Sequence, residues 1–526
     1  MINKNFDVII IGSGFGGAVT ACRLAESGAR VLVLERGRRW DTKTYPRRAK
    51  DPWVYEHTMP EKFNGWLDVR LYYQMAILLG AGVGGGSLCY SSVVLPANKE
   101  RFDQGWPEEI TYEMLQPYYD SVHKMMSVQE IPSGQLTNRY KLLQRGAKAI
   151  GYEDRFSSMP LALTFDENWD PATFSPTDYQ HSKQFINDQG QQQGTCIHLG
   201  TCDIGCAVKA KNTLEYNYIP QAENHGAEVR PLHIVRYIES VEGGYSVVFD
   251  RIEDGKLIRG REAAEHVILA AGSLGSTELL LRSQKQYKTL PNISPFLGQR
   301  WSANANVLTP AFYGKDADIK QSIGPTISSG LEFMDGVIDG HRFLIEDDGF
   351  PNMLLNALDS RISAGQGGLL TRFLRKQVSP QNNPLQNLMI WLGAGVDAGD
   401  GTLSLGREWF RPWKRDIKLR WRSRNSAPVI DAILDIQDQL SDVTDGKLYI
   451  PLYWRLLKGM LTVHPLGGCG MGATPTTGVV NHAGEVYGYP NLYVADGAII
   501  PKPIGRNPSM TIAALAEYIA ESMVQK

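Results

Sequence analysis

The sequence predicts an α/β protein in which a Rossmann-like dinucleotide-binding domain is interrupted by insertions. A complete strand–helix–strand unit with a glycine-rich turn stands at residues 8–35. Short apolar strands of the same kind return within residues 227–272 and again at 491–497, as expected for a sheet that resumes after an insertion. The chain has 526 residues, whereas a single hydrophobic core stops growing at about 250–300 residues. We therefore expect two or more domains.

Composition excludes several classes of protein. With 43% hydrophobic residues, 21% charged residues and a formal net charge of −2, the chain lacks the basic surface of a nucleic-acid-binding protein. The six cysteines are too few and too unevenly spread for a disulfide framework. No apolar run is long enough to span a bilayer, and no signal peptide precedes the first strand. A cytoplasmic location is the simplest interpretation, although a cleaved precursor would leave the same sequence.

The first unit carries the dinucleotide fingerprint in its proper context. It is an apolar strand, a helix and a second apolar strand, at residues 8–11, 18–25 and 31–34. Gly12 makes the tight turn, Gly14 lets the backbone approach a pyrophosphate, and Gly17 lets the helix pack closely on the strand. Glu35 ends the second strand, where a carboxylate accepts a hydrogen bond from a ribose hydroxyl. This fingerprint alone fits either FAD or NAD.

Three further glycine-rich blocks follow. Residues 80–86 include five glycines, and their apolar flanks favour an ordered loop against a flat ligand over a flexible linker. Residues 265–277 predict an apolar strand, a small-residue turn and a helix that begins near Ser276. Residues 491–497 predict a strand that ends in an acid and a glycine, and a final helix begins at Pro508. The positive end of that helix suits an anionic reduced flavin.

Together these blocks resemble the glucose–methanol–choline oxidoreductase family, and within it the bacterial cholesterol oxidases that bind FAD non-covalently. The matching segments are GSGFGGAV from Gly12, GAGVGGGSL from Gly80, AAGSLGSTELLLR from Ala270, GQRWSANANVLT from Gly298, HPLGGCGMG from His464 and NLYVADGAIIPKPIGRNPSMTIAALAE from Asn491. They occur in the family's order and reach from end to end of the chain.

The resemblance implies a Rossmann-like FAD-binding domain with an inserted α+β substrate domain built on a sheet. The FAD-binding domain would comprise residues 1–42, 205–308 and 460–526, with the loop at 79–95 packed on the flavin. The substrate domain would comprise residues 43–204 and 309–459, with strands at 388–392 and 418–421. The expected FAD contacts are Gly12, Gly14, Gly17, Glu35, Gly82, Gly84, Gly85, Ser87, Val235, Ala271, Gly272, Asp496, Gly497, Asn507, Pro508 and Met510.

The resemblance also implies alcohol oxidation, in which flavin N5 takes a hydride and the protein accepts a proton. His464, in the His-Pro-Leu-Gly-Gly segment, is the expected base. Asn507 is its expected partner and would hold the substrate oxygen without titrating. A cap on the helix after it is the alternative, and the two roles are compatible. Glu346 is a third catalytic candidate, since a glutamate in the inserted domain of cholesterol oxidases relays a proton and shifts a steroid double bond. The adjacent Asp347 and Asp348 leave an acidic loop as the alternative.

Other features leave two interpretations open. Asn304 and Asn306 match an Asn-x-Asn motif that lies near the flavin in cholesterol oxidases, but turn asparagines are an alternative. Cys196, Cys202 and Cys206 favour a structural loop over a metal site, because no Cys-x-x-Cys pair is present; we expect no metal. Shortly after the second glycine block, cholesterol oxidases have asparagine and glycine, whereas this chain has Cys89 and Tyr90. The basic and aromatic segments at 372–376 and 409–414 fit either a lipid contact or a solvated face.

The expected function is therefore FAD-dependent oxidation of an alcohol to a carbonyl. A bulky hydrophobic or sterol-like secondary alcohol is the expected substrate, and oxygen or another acceptor would reoxidise the flavin. Two alternatives stay open: a lyase that keeps FAD only as structure, and a nicotinamide-dependent enzyme.

Overall fold

The structure is a computed structural model that describes residues 5–48, 50–103, 105–175, 178–314, 317–351, 387–407, 415–450, 454–455 and 458–525. The segments at 372–376 and 409–414 lie outside these residues. Within them, no helix is long and apolar enough to cross a bilayer.

The helices of the described chain are α1 (Phe15–Glu26), α2 (Tyr112–Met125), α3 (Asn138–Ala149), α4 (Tyr218–Asn224), α5 (Gly272–Leu281), α6 (Ser423–Asp442) and α7 (Ser509–Val524). The strands are β1 (Val8–Ile11), β2 (Val31–Leu34), β3 (Val54–Tyr55), β4 (Leu67–Tyr72), β5 (Met75–Gly80), β6 (Phe156–Ser158), β7 (Gln184–Ile186), β8 (Gln192–Gly194), β9 (Glu228–Arg230), β10 (His233–Val241), β11 (Gly244–Glu253), β12 (Lys256–Ala264), β13 (His266–Leu269), β14 (Val307–Tyr313), β15 (Ser329–Glu332), β16 (Phe343–Asp348), β17 (Leu388–Gly395), β18 (Thr402–Arg407), β19 (Arg415–Arg420), β20 (Gly446–Leu448), β21 (Met460–Thr462) and β22 (Leu492–Val494).

A five-stranded parallel sheet in the order β22-β13-β1-β2-β9 forms the dinucleotide fold. Strands β1 and β2 are buried along their whole length, as their continuous apolar sequences predict. Helix α1 lies between α4 and α7, and Arg23 of α1 forms an ion pair with Glu517 of α7 at 2.6 Å. The fold class predicted from the sequence is confirmed. An antiparallel sheet, β10-β11-β12, follows β9.

A six-stranded antiparallel-paired sheet in the order β20-β14-β17-β16-β15-β6 is the core of the inserted region. One face of this sheet packs on α6, where Ile345 and Trp391 join a buried cluster with Ile433. The other face bears Glu346 and Leu392, which stand directly opposite each other on β16 and β17. The predicted strand at 388–392 is therefore the central β17, whereas that at 418–421 lies in the two-stranded ribbon β18-β19.

A smaller sheet, β21-β5-β4-β3, links distant parts of the chain, since β5 pairs in parallel with β21. This pairing brings the second glycine block, after β5, close to the His464 segment, after β21. The boundaries of the two predicted domains stay a prediction.

Two local predictions need correction. Helix α5 begins at Gly272, four residues before the predicted start, because Asp496 accepts the Gly272 N–H at 2.8 Å and orders the first turn. The second glycine block is not loop throughout, since Gly80 ends β5 and Gly85–Leu88 form a 3₁₀-helix.

Candidate active site

The glycine-rich turn has the geometry that a dinucleotide requires. Gly12 has a φ of +98°, and a Cβ there would overlap the carbonyl oxygen of Ala270. Gly17 packs against the Gly12 carbonyl, so a side chain is excluded there as well. Gly14 differs, because a Cβ on it would meet only the Cα of Gly85, at 3.9 Å. Its missing side chain therefore leaves space open on the side of a ligand.

Helix α1 begins at this turn with no acidic residue in its first turn and no capping side chain. Its first N–H groups are left for an anion, and the helix dipole favours one there. Glu35 lies beside them, where its carboxylate accepts from Ser13 N at 3.0 Å, Ser13 Oγ at 2.7 Å and Gly37 N at 2.9 Å. These features fit the pyrophosphate and ribose of FAD.

The second glycine block packs on the first. Gly84 N donates to Ser13 Oγ at 3.1 Å, and a Cβ on Gly85 would lie 2.6 Å from the Gly14 Cα. Ser87 Oγ donates to the Gly84 carbonyl and accepts from Leu214 N. Gly82 lies beside the indole of Trp40, which leaves no room for a Cβ. The four residues thus build an ordered wall beside the turn, as expected for a cofactor cradle.

The third and fourth blocks meet at Asp496. Its carboxylate accepts from Gly272 N and Ala498 N, each at 2.8 Å, and from Ser276 Oγ. Burial raises the pKa of Asp496 to about 6, and these hydrogen bonds oppose the rise. Ala271 precedes α5, and the Gly497 carbonyl accepts from Gly467 N at 2.9 Å. The loop after His464 is therefore tied to the end of β22.

The remaining predicted cofactor positions lie around this cradle. Val235 is half-buried on β10, two residues after His233 donates its N–H to the Glu35 carbonyl at 2.8 Å. Pro508 precedes α7, and Met510 is buried in its first turn. Helix α7, like α1, has no acidic first-turn residue and no capping side chain, so its positive end fits a partly anionic ring.

His464 is half-buried and is held by Asn306. The Asn306 Oδ1 accepts from Thr462 Oγ, Val463 N and His464 N at 2.9, 3.2 and 3.1 Å. Because these donors fix the amide orientation, Asn306 Nδ2 faces His464 Nδ1, 3.0 Å away, and donates to it. The proton of neutral His464 then lies on Nε2. Burial lowers the pKa of His464 to about 4, so the ring is neutral at pH 7.

Asn507 and Glu346 are brought together from opposite sides of the site. Asn507 Nδ2 donates to Glu346 Oε2 at 3.3 Å. Glu346 Oε1 and Asn507 Oδ1 are both buried and have no partner within the described chain. These two unpaired buried oxygens, on residues in contact, are acceptors that a donor of a bound ligand can satisfy. Asn507 does not cap α7, whose N-cap is Pro508.

The acidic-loop alternative for Glu346 is wrong, since residues 346–348 end the buried strand β16. Their side chains alternate between the two faces of the sheet. Asp347 accepts from Ser328 and from backbone N–H groups, whereas Glu346 meets Asn507. Burial raises the pKa of Glu346 to about 8, the Asn507 hydrogen bond lowers it, and the charge of Asp347 adds to the rise.

Asn304, the other half of the Asn-x-Asn motif, holds the segment before Asn507. Its Oδ1 accepts from Gly505 N and its Nδ2 donates to the Arg506 carbonyl, each at 2.8 Å. The sequence did not single out Thr462, which hydrogen-bonds Asn306, or Asp397, which binds the turn around the two asparagines. Asp397 has no motif of its own, so only its buried contacts identify it.

The cysteine cluster has no metal-site geometry in the described residues. Cys196, Cys202 and Cys206 are free thiols that line one small cavity. No group of three metal-ligating side chains occurs in the part of the chain that the structure describes. Tyr90, the departure noted above, donates to the Asn212 carbonyl and lies edge-on to Phe15 at the dinucleotide turn.

Known sequences are similar to this chain over almost its whole length. The profile described as GMC oxidoreductase matches residues 441–516, and that of an NAD(P)-binding Rossmann-like domain matches residues 10–60. A cholesterol oxidase of Acinetobacter baumannii is 30% identical, over 98% of this chain and 94% of its own length. A cholesterol oxidase of Mycobacterium tuberculosis is also 30% identical, over 99% of this chain and 91% of its own.

Solved structures share the fold at lower identity. A formate oxidase variant from Aspergillus oryzae gives a TM-score of 0.67 at 14% identity and covers 100% of this chain and 99% of its own. Pyridoxine 4-oxidase from Mesorbium loti gives 0.62 at 14% identity, over 99% of this chain and 100% of its own. The cradle fits FAD, and the relatives match along almost the whole chain. The chain therefore belongs to the GMC oxidoreductase family, whose FAD-dependent members oxidise CH–OH donors.

Proposed function

We propose that this enzyme oxidises a bulky, hydrophobic, sterol-like secondary alcohol to the corresponding carbonyl. The observation that carries the proposal is the contact between Asn507 and Glu346, which leaves one oxygen of each residue buried and unpaired. Both oxygens are acceptors, and the single O–H group of an alcohol can donate to one of them. The names of the two cholesterol oxidases support the sterol class.

The surroundings of Glu346 suit an apolar substrate. The face of the six-stranded sheet that bears Glu346 also carries Leu308, Ile390 and Leu392, because these residues stand at matching register positions on β14 and β17. The same face also carries the ring of Phe312 and the carboxylates of Glu332 and Asp348. An apolar pocket with few polar groups is typical of sites that bind and orient a hydrophobic ligand.

We assign the proton transfer differently from the sequence-based expectation. His464 was expected to be the base, but an Nδ1 that accepts from Asn306 leaves Nε2 protonated. In this state Nε2 donates, so His464 holds the alcohol oxygen rather than accepting its proton. Glu346, when ionised, accepts the hydroxyl proton, and Asn507 orients its carboxylate. Bound FAD supplies the acceptor for the hydride of the carbinol carbon.

An anaerobic screen of alcohols tests the proposal. We expect the flavin absorbance of the holoenzyme to bleach with sterol-type secondary alcohols and with bulky alicyclic alcohols, more slowly with short primary alcohols. Subsequent mixing with air, or with a quinone-type acceptor, identifies how the flavin is reoxidised. Bleaching only by small polar alcohols would overturn the substrate class, and a flavin that no alcohol bleaches would overturn the proposed oxidation.

A further inference from the structure

Asp397, which follows β17, makes an unusual set of contacts. Its side chain is buried, and its two oxygens accept four hydrogen bonds. Oδ1 accepts from Ser302 Oγ at 2.8 Å and Gly399 N at 2.9 Å. Oδ2 accepts from Ala303 N at 3.0 Å and Ala305 N at 3.2 Å. Three of the four donors belong to the single turn at residues 302–305.

That turn has a backbone that few sequences adopt. Asn304 and Ala305 have φ values of +54° and +41°, in the left-handed region that an alanine rarely enters. Successive residues of this kind persist only where the surroundings hold them. Asp397 stabilises this backbone by accepting hydrogen bonds from the N–H groups of Ala303 and Ala305. Ser302 Oγ, which donates to Asp397, also accepts from Asn304 N at 2.9 Å.

The two asparagines of the turn reach the two sides of the active site. Asn304 binds the backbone of Gly505 and Arg506, directly before Asn507. Asn306 binds Nδ1 and the backbone N–H of His464. Through this turn, Asp397 therefore supports both His464, which the proposed function puts at the substrate oxygen, and Asn507, which orients Glu346. Within the described chain, Asp397 makes no hydrogen bond to either.

We propose that Asp397 is a positioning residue, which sets His464 and Asn507 relative to each other through the turn at residues 302–306. The inference rests on the proposed function for the meaning of that geometry, but the geometry itself is measurable without any substrate.

The variant Asp397→Asn preserves size and removes the charge. The new amide NH₂ group would face another N–H donor whichever way it is turned. It would face Ala303 N and Ala305 N in one orientation and Gly399 N in the other. We expect the turn to rearrange while the protein folds and binds FAD. Asp400→Asn is the matched control, because Asp400 is exposed, lies three residues away and accepts a hydrogen bond from Asn425 Nδ2. Ser302→Ala removes one donor and should give a weaker form of the same effect.

Two measurements on the holoenzymes test the proposal. In ¹⁵N-histidine NMR spectra, assigned with His464→Gln, we expect a single Nε2–H tautomer in the wild type and a tautomer mixture in Asp397→Asn. In anaerobic stopped-flow experiments, we expect flavin reduction at saturating alcohol to slow about 10–100-fold in Asp397→Asn, with little change in half-saturation, as misplacement of reacting groups by about 1 Å produces.

The outcomes separate the two proposals. An unchanged His464 tautomer in both Asp397→Asn and Ser302→Ala, with an unchanged reduction rate per bound flavin, overturns the positioning role even if both variants melt earlier. An altered tautomer in a protein whose wild-type flavin no alcohol reduces supports the positioning role and overturns the proposed function instead.

Discussion

Asn507 and Glu346 lie 161 residues apart in the chain, yet the amide of one donates to the carboxylate of the other at 3.3 Å. The contact joins the start of helix α7, beside the dinucleotide fold, to the antiparallel sheet of the inserted region. It brings together two of the predicted catalytic residues where these two parts of the structure meet. Five predictions follow from this arrangement and from the cradle beneath it.

Glu346→Gln should slow flavin reduction by about 10²–10⁴-fold, the range for loss of a general base. In the wild type, the rate should rise with pH through an apparent pKa near 8, since only ionised Glu346 accepts the proton. The variant should lose that rise. Stopped-flow reduction from pH 6 to 10 measures both the rate loss and its pH dependence. Glu253→Gln, at the exposed end of β11, is the control. A wild-type rate that is flat over this range would contradict the assignment.

Asn507→Ala should move the same pH dependence to higher pH. The Asn507 hydrogen bond stabilises the ionised form of Glu346, so its loss raises the pKa further above about 8. At pH 7 the variant should therefore reduce its flavin more slowly, and at pH 10 the difference should narrow. Asn224→Ala, an exposed substitution at the end of α4, serves as control. A downward shift of the apparent pKa would refute the contact's role.

His464→Ala and His464→Gln should differ. If Nε2 donates to the substrate oxygen, alanine removes the donor and should cost about 10²–10³-fold, as for other lost oxygen-binding donors. Glutamine retains an amide donor and should lose less. Both variants should keep FAD, which its absorbance verifies. Equal loss in both variants would instead favour His464 as the base. His225→Gln, on the exposed end of α4, is the matched control.

Gly14→Ala should weaken FAD binding without unfolding the protein. The added methyl group meets no protein atom closer than 3.9 Å, so only a ligand at the helix start can clash with it. We expect the affinity for FAD to fall at least tenfold by fluorescence titration of the apoprotein, whose own melting temperature stays unchanged. Gly134→Ala, at an exposed and open position, should change neither quantity. Full FAD affinity in Gly14→Ala would argue against this phosphate position.

Glu346→Gln should also stabilise the protein against unfolding. The pKa of Glu346 is raised from 4.5 to about 8 on folding, so the folded state holds a proton that the unfolded state releases between these values. Wild-type stability therefore falls as pH rises from about 4.5 to 8, and the variant lacks this decline. Denaturant titrations at pH 5 and pH 8 should show the difference between the two proteins growing with pH. A smaller difference in unfolding free energy at pH 8 than at pH 5 would contradict the raised pKa of Glu346.

The sequence was sufficient for the dinucleotide fold because its signals are local. Gly12, Gly14 and Gly17 lie between two apolar strands. Gly12 and Gly17 each have a steric reason to lack a side chain, and Gly14 leaves space on the side of a ligand. The site above the cofactor depends on long-range contacts. Three consecutive acidic residues normally indicate a solvent-exposed segment. Glu346 is buried because β16 lies between β15 and β17 in the sheet. Nothing near Asp397 in the sequence reveals that it holds a turn 92–95 residues before it.

The parallel sheet has a consequence for the order in which the protein forms. Its central strand β1 is synthesised long before β22, at its edge. Gly16 of α1 packs on the carbonyl of Ala495 so closely that a Cβ would overlap it. A growing chain on the ribosome therefore holds the dinucleotide turn without its closing strand until β22 has been made. Such non-local closure is slow and leaves an apolar sheet edge exposed until then, so we expect the parallel sheet to close late in folding.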